Sequence, residues 1–137
     1  MHRHTVASPS YLKANKEPSV LKDLLHHNCL VYNLLTTRNE WHFHGKKGIE
    51  KIAVSGSFTT NNPDAIRAAL LAGIGIAAAP DWLVEEDIKQ GRLIEIMKNY
   101  KPTSLEINAI YPDRRFLPAK VRLFIQHLQT EFKHRQQ

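Results

Sequence analysis

The tightest constraint on this chain is the stretch SGSFTTNNPDAIRAALLAGIGIAAAPDWLVEEDIKQGRLIEIM, from Ser55 to Met97. Its boundary residues spell strand, polar loop, helix, small-residue strand, helix and strand. Asn62 can accept the unpaired N–H groups of a first helical turn, Pro63 stands where a missing N–H costs nothing, and Asp64 meets the positive end of the helix dipole. Ile66, Ala69, Leu70 and Gly73 recur at i, i+3, i+4 and i+7, a narrow apolar stripe suited to lying on a sheet. Gly73 can take the left-handed conformation that ends a helix. Ile74 to Ala79 follows as a charge-free run stopped by Pro80, the pattern of a strand buried on both faces.

Strand, crossover helix and strand make a βαβ unit, whose handedness sets the helix N-terminus beside the carboxyl end of the first strand. Open α/β sheets bind ligands there. The turn Thr59, Thr60, Asn61, Asn62 therefore offers hydroxyls, amides and free backbone N–H groups at a place that favours anions. The plainer alternative is that Asn62 only caps the helix and the threonines only satisfy the turn.

The flanks follow the same local logic. Thr5 to Ala7 reads as the end of a strand, and Ser8 with Pro9 as a cap and first helical residue. Pro18 breaks any helix, after which Ser19 can cap a short one through Val20, Leu21, Leu24 and Leu25, with Asp23 in its exposed middle. Cys29 to Tyr32 is a predicted strand and Asn33 to Glu40 a loop. Trp41 and Phe43 alternate with His42 and His44 in the period of a half-buried strand. With no third ligand nearby, the two imidazoles read as solvated rather than as a metal site. Gly45 and Gly48 bracket a basic turn, and Ile49 to Phe58 resumes as strand with Ile52 and Val54 on one side.

Beyond the central stretch's Pro80, Asp81 can cap a helix carrying Leu83, Val84 and Ile88 and ended by Gly91, before a strand from Leu93 to Met97. Asn99 to Ser104 reads as a crossing segment without an element of its own. Leu105, Ile107, Ala109 and Tyr111 alternate as a strand would. Val121, Phe124, Ile125, Leu128 and Phe132 then mark an amphipathic helix expected to pack on a sheet, each large side chain contributing roughly 1.5 to 3 kcal/mol if fully buried.

Composition narrows the function. The 137 residues, 42% hydrophobic, suffice for one domain with its own core. No apolar run approaches the roughly 20 residues of a membrane span, and MHRHTVASP lacks a secretory h-region, so no membrane association and a cytoplasmic location are expected. Cys29 is the single cysteine, which excludes an internal disulfide, and within CLVY it reads as a core residue. The net charge of +6 is spread over loose groups around Lys47, Arg114 and Lys133 rather than along a recognition helix, and reads as solvated surface. A nucleophile elbow, carboxylates paired near a histidine and a phosphate loop are all missing from the sequence, which argues against an enzyme.

Three segments in order, ASPSYL from Ala7, NNPDAIRAALLAGIGIAAAPDWLVEEDIKQGRL from Asn61 and YPDRRFLPAKVRLFIQHL from Tyr111, resemble the effector-binding domain of LysR-type transcriptional regulators. With the WHFH strand and the Gly56 turn they cover nearly the whole chain. The resemblance implies a type 2 periplasmic-binding-protein-like α/β fold, two subdomains flanking a cleft for a small molecule. Residues 1–101 would form the second subdomain with its crossing strand, and 102–137 the strand and helix returning to the first. The family's winged helix-turn-helix, linker helix and first half-domain have no counterpart before Met1, so DNA contact is expected only through a missing N-terminal domain. Carried over residue by residue, the effector-binding candidates are Ser8, Thr59, Thr60, Asn61 and Asn62, with no cofactor. Relatives often place an acid where this chain has Asn62, which points to an anionic effector. A homodimer or higher oligomer is implied. The alternatives are an interaction fragment pairing with intact regulators, or a small enzyme using Ser8.

Overall fold

A computed structural model describes residues 1–45, 47–106, 108, 110 and 118–134. The chain forms two compact units, His2–Leu105 and a second made of Met1 with Glu106–Gln137. In the larger unit the elements run β1 (Arg3–Ala7), α1 (Pro9–Ala14), a 3₁₀ helix (Leu21–His26), β2 (Val31–Tyr32), β3 (Glu40–Gly45), β4 (Gly48–Ala53), β5 (Thr59–Thr60), α2 (Pro63–Leu71), β6 (Ile76–Pro80), α3 (Asp81–Lys89), β7 (Ile94–Glu95) and β8 (Lys101–Pro102). The smaller unit holds α4 (Ala119–His134). None of the described helices is long and apolar enough to cross a membrane.

β1 lies between β6 and β7, antiparallel to both, and β2 pairs in parallel with β5. A parallel bridge between Cys29 and Ile76 joins the two groups, so the strands follow the order β5-β2-β6-β1-β7. The βαβ unit is therefore real, but its crossover helix α2 passes over β2 instead of linking neighbours. β3 pairs antiparallel with β4 and with β8 in a separate three-stranded sheet.

Strand alternation sorts the side chains into two cores. Val6, Leu30, Ala77 and Ala79 pack with Ile66, Leu70, Leu83 and Val84 of the helices. Ala7, Val31 and Ile76 pack with Trp41, Phe43 and Ile52 of the second sheet and with Tyr11 and Leu24. Cys29 is fully buried, and burial pushes its thiol up to about 12, consistent with a core residue.

Both central helices end alike. Gly73 and Gly91 sit at φ +75° and +69°, and each directs its own N–H and the next one back to carbonyls of the last turn, Leu70 and Ala69 in α2, Ile88 and Asp87 in α3. At the α2 N-terminus Asn62 Oδ1 accepts from Asp64 N and Ala65 N, as its residue type predicts.

Several expectations are corrected. The strand expected through Phe58 ends at Ala53, with Val54 N still donating to Asn39 O in the same register. Thr59 and Thr60, expected as turn, are instead the ladder of β5. Ser19 does not cap by accepting: its N–H and hydroxyl both donate to Asp23, whose carboxylate also takes Val20 N. Those bonds hold the Asp23 pKa below the usual carboxylate range. Asp81 is the first helical residue rather than the cap, and β8 forms inside the expected crossing segment. The strand expected from Leu105 to Tyr111 cannot be followed, since Ile107, Ala109 and Tyr111 lie outside the described residues. α4 forms as expected, with Val121 and Ile125 of its apolar stripe half-buried and Phe124 and Phe132 60% and 42% exposed.

Candidate functional site

The sequence candidates do not converge on one place. Ser8 is buried and caps α1, its Oγ accepting from Tyr11 N at 3.2 Å and lying 2.9 Å from Ser10 Oγ. A Cβ added at Gly73, beyond the α2 C-terminus, would stand 3.4 Å from Ser8 Oγ. The other four residues sit at the opposite end of α2. Ala7 pairs with Ile76, which bridges Cys29, while Thr60 pairs with Tyr32. Ala7 and Thr60 are thus about 10 Å apart along the strands and about 14 Å across them. Ser8 and Asn61 extend that separation in opposite directions.

Around Asn62 most donors are already used. Asn62 N donates to Thr60 Oγ1 at 3.1 Å, and Asp64 N and Ala65 N are held by the Asn62 side chain as above. Thr60 and Asn62 thus shape the turn, and the exposed Asn61 is the residue of this group whose side chain is not engaged in it.

Thr59 points the other way. It pairs with Val31 on the sheet face away from α2 and lines an open concavity of about 600 Å³ with Asn33, Arg38, Asn39, Val54, Ser55 and Gly56. Its walls come from β2 and the loop after it, the segment following β4, and β5. Among the described residues Arg38 is the one charged residue in this lining, which otherwise presents amides, hydroxyls, a glycine and two valines. Its backbone adopts φ +47°, a left-handed conformation that costs a non-glycine residue about 1 kcal/mol. The turn is closed by Arg38 N donating to Leu35 O and Glu40 N to Thr37 O. A second concavity, about 620 Å³, includes Glu17 and Glu95 in its lining and none of the sequence candidates.

Ser57, which follows Ser55 and Gly56 of the lining, is held by Asn28. Asn28 Nδ2 donates to Ser57 Oγ at 3.0 Å and Ile74 O at 2.8 Å, and its Oδ1 accepts from Ser57 N at 2.7 Å. Gly56 is required by close approach: a Cβ there would come within 2.1 Å of Cys29 O. Sequence reasoning passed over both Asn28 and Arg38. Neither carries a local signature, since what matters about them is a contact formed only on folding.

Elsewhere the predicted separation of Trp41 and Phe43 from the imidazoles holds. Both aromatics are buried, and His42 Nε2 lies 2.6 Å from Glu40 Oε1. Among the described residues no three His, Cys, Asp or Glu side chains stand close enough to share a metal ion. The sequence also gave no warning of Asp87, a fully buried carboxylate on α3. It accepts from Arg67 Nε at 2.6 Å and Nη2 at 2.9 Å, and from Arg92 Nε at 2.7 Å.

Comparison with known proteins places this geometry. The family described as LysR substrate binding domain matches residues 2–133. An uncharacterized HTH-type transcriptional regulator of Haemophilus influenzae is 36% identical over 118 residues, which cover 86% of this chain and 41% of that protein. The HTH-type transcriptional regulator PtxR of Pseudomonas aeruginosa is 31% identical over 125 residues, 90% of this chain and 39% of its own. The chain thus spans about two fifths of the length of these relatives. Among solved structures, the regulatory domain of CrgA, a LysR-type transcriptional regulator from Neisseria meningitidis, superposes with a TM-score of 0.72 at 27% identity, over 95% of this chain and 64% of that one. The relatives are named as regulators, not enzymes.

Proposed function

This chain belongs to the LysR substrate-binding domain family, and we propose that it forms part of the effector-sensing domain of a transcriptional regulator. In this reading residues 1–101 supply one wall of a cleft for a small anionic molecule, and residues 102–137 return to the facing subdomain. Binding alters the packing of a homodimer or larger assembly, and DNA is held by a separate N-terminal domain of the longer protein. The observation that supports the anionic reading is the concavity beside β5, whose lining among the described residues offers one cation, Arg38, and neutral hydrogen-bonding groups without a carboxylate. A guanidinium in that setting recognises a carboxylate through paired charge-assisted bonds. Thr59 stands in the same wall and Asn61 follows β5. Thr60 and Asn62 hold the turn, and Ser8 steadies α1 at the far end of the sheet.

The test titrates the domain with small carboxylates and with the amides of the same skeletons, followed by amide chemical shifts. The carboxylates are expected to move Thr59 and Asn61 and the amides to leave them still. Arg38→Gln should weaken carboxylate binding about tenfold and Asn61→Ala a few-fold. Asn62→Asp keeps a capping oxygen while adding a negative charge, so it should lower affinity with little change in stability. Equal response to both series, or indifference to all three substitutions, would remove the anionic reading.

A second reading has one observation in its favour. The exposed stripe of α4, with Phe124, Leu128 and Phe132, suits association with an intact regulator. Mixing the two and measuring size separates it from sensing alone.

A further inference from the structure

A chain of hydrogen bonds connects a titratable side chain to Ser57, the residue that follows Ser55 and Gly56 of the concavity's lining. The Tyr11 hydroxyl accepts the Asn28 N–H at 3.2 Å and lies 3.0 Å from His27 Nδ1. A phenol has one hydrogen to donate. With Asn28 donating to the oxygen, a neutral His27 with its proton on Nε2 can accept that hydrogen at Nδ1, an arrangement that satisfies all three groups. From Asn28 the chain continues through the side-chain amide to Ser57 N and Ser57 Oγ, two residues before Thr59.

We propose that these bonds form a proton-operated latch: neutral His27 keeps the Ser55–Ser57 wall fastened to α1 through Tyr11 and Asn28, and protonated His27 releases it. A proton on Nδ1 would leave two donors aimed at one phenol oxygen. The phenol's own hydrogen would then have to turn toward a new acceptor, and Tyr11 is only 5% exposed.

The groups facing His27 are Asp23 and His26 of its own 3₁₀ helix and the Tyr11 phenol of α1, with the Cys29 thiol of the following segment beside that phenol. Burial outweighs the attraction of Asp23, with His26 adding to the downward side, and holds the His27 pKa below its ordinary 6.5. A histidine whose pKa is lower folded than unfolded favours the folded state above the unfolded value. That contribution is lost as pH falls from about 6.5 toward the folded value.

The experiment follows backbone amides and the His27 imidazole by NMR in the ligand-free chain from about pH 7.5 to about pH 5. Gly56 and Ser57 are expected to shift through one midpoint, below 6.5, that coincides with the titration of His27. In His27→Gln the wall amides should stay still. In Tyr11→Phe the imidazole should still titrate while the wall no longer follows. A wall that stays flat while His27 titrates, or moves unchanged in either variant, would overturn the latch. Should one variant not fold, the other still decides between these outcomes. No effector enters the measurement, so its failure leaves the effector reading standing, and an effector that fails to bind leaves the latch standing.

Discussion

α2 and α4 have the same kind of sequence stripe and opposite fates. On α2, Ile66, Ala69 and Leu70 are buried against the β5-β2-β6-β1-β7 sheet, Asn62 caps one end and Gly73 closes the other. On α4, Leu123 and Phe124 are 62% and 60% exposed, and Val121 and Ile125 are only half-buried. Apolar period therefore specifies that a helix forms and which side is greasy, while burial depends on a partner surface that the period does not encode.

Breaking the packing of α2 should have the largest effect. Leu70 is fully buried, and Leu70→Ala removes its contacts and leaves a cavity, an expected loss of about 2 to 5 kcal/mol in urea or thermal unfolding. A loss below 1 kcal/mol would mean that α2 is no better anchored than α4.

Next comes the tie between α2 and the following helix. Arg67 and Arg92 hold the Asp87 carboxylate below the usual range, bonding by Arg67 outweighing the cost of burial. An acid whose pKa is depressed by folding stabilises at pH values above its unfolded value near 4, and that contribution disappears as pH falls through the lower folded value. Asp87→Ala should cost about 2 kcal/mol at neutral pH, moderated because both guanidiniums reach solvent. The substitution should also flatten the acid limb of stability against pH. An unchanged acid limb would show that the carboxylate's bonds carry no net stability.

The cap is a smaller term. Asn62→Ala should cost about 1 kcal/mol, read in the same unfolding experiment, and Asn62→Asp should restore most of it. How legible each feature was follows from its range. Asn62–Pro63, Ser8–Pro9 and the Trp41/Phe43 alternation were readable because their physics acts within a few residues. Arg67 and Asp87 stand 20 residues apart in sequence, and Asn28 reaches Ser57 and Ile74 across 29 and 46, so nothing local announces them. The placement of Thr59 and Thr60 failed for a related reason. A Thr-Thr-Asn-Asn run suits a turn locally, but the free edge of β2 recruited its first two residues as a strand, and tertiary pairing overrides a weak local preference. The surroundings of the candidate residues were legible on the same terms: the turn before α2 was visible, whereas Arg38 comes beside Thr59 only through a loop.

The smallest expected effect is on α4, and it tests the comparison most directly. An exposed phenylalanine loses little when shortened, and alanine is the better helix former. Phe124→Ala should therefore change stability by no more than about 0.5 kcal/mol, against several for Leu70→Ala. The measurement is made at two protein concentrations. A loss of 2 kcal/mol or more that grows with concentration would mean that a second molecule covers the stripe in solution. α4 would then be a partnered helix like α2, its partner simply lying on another chain.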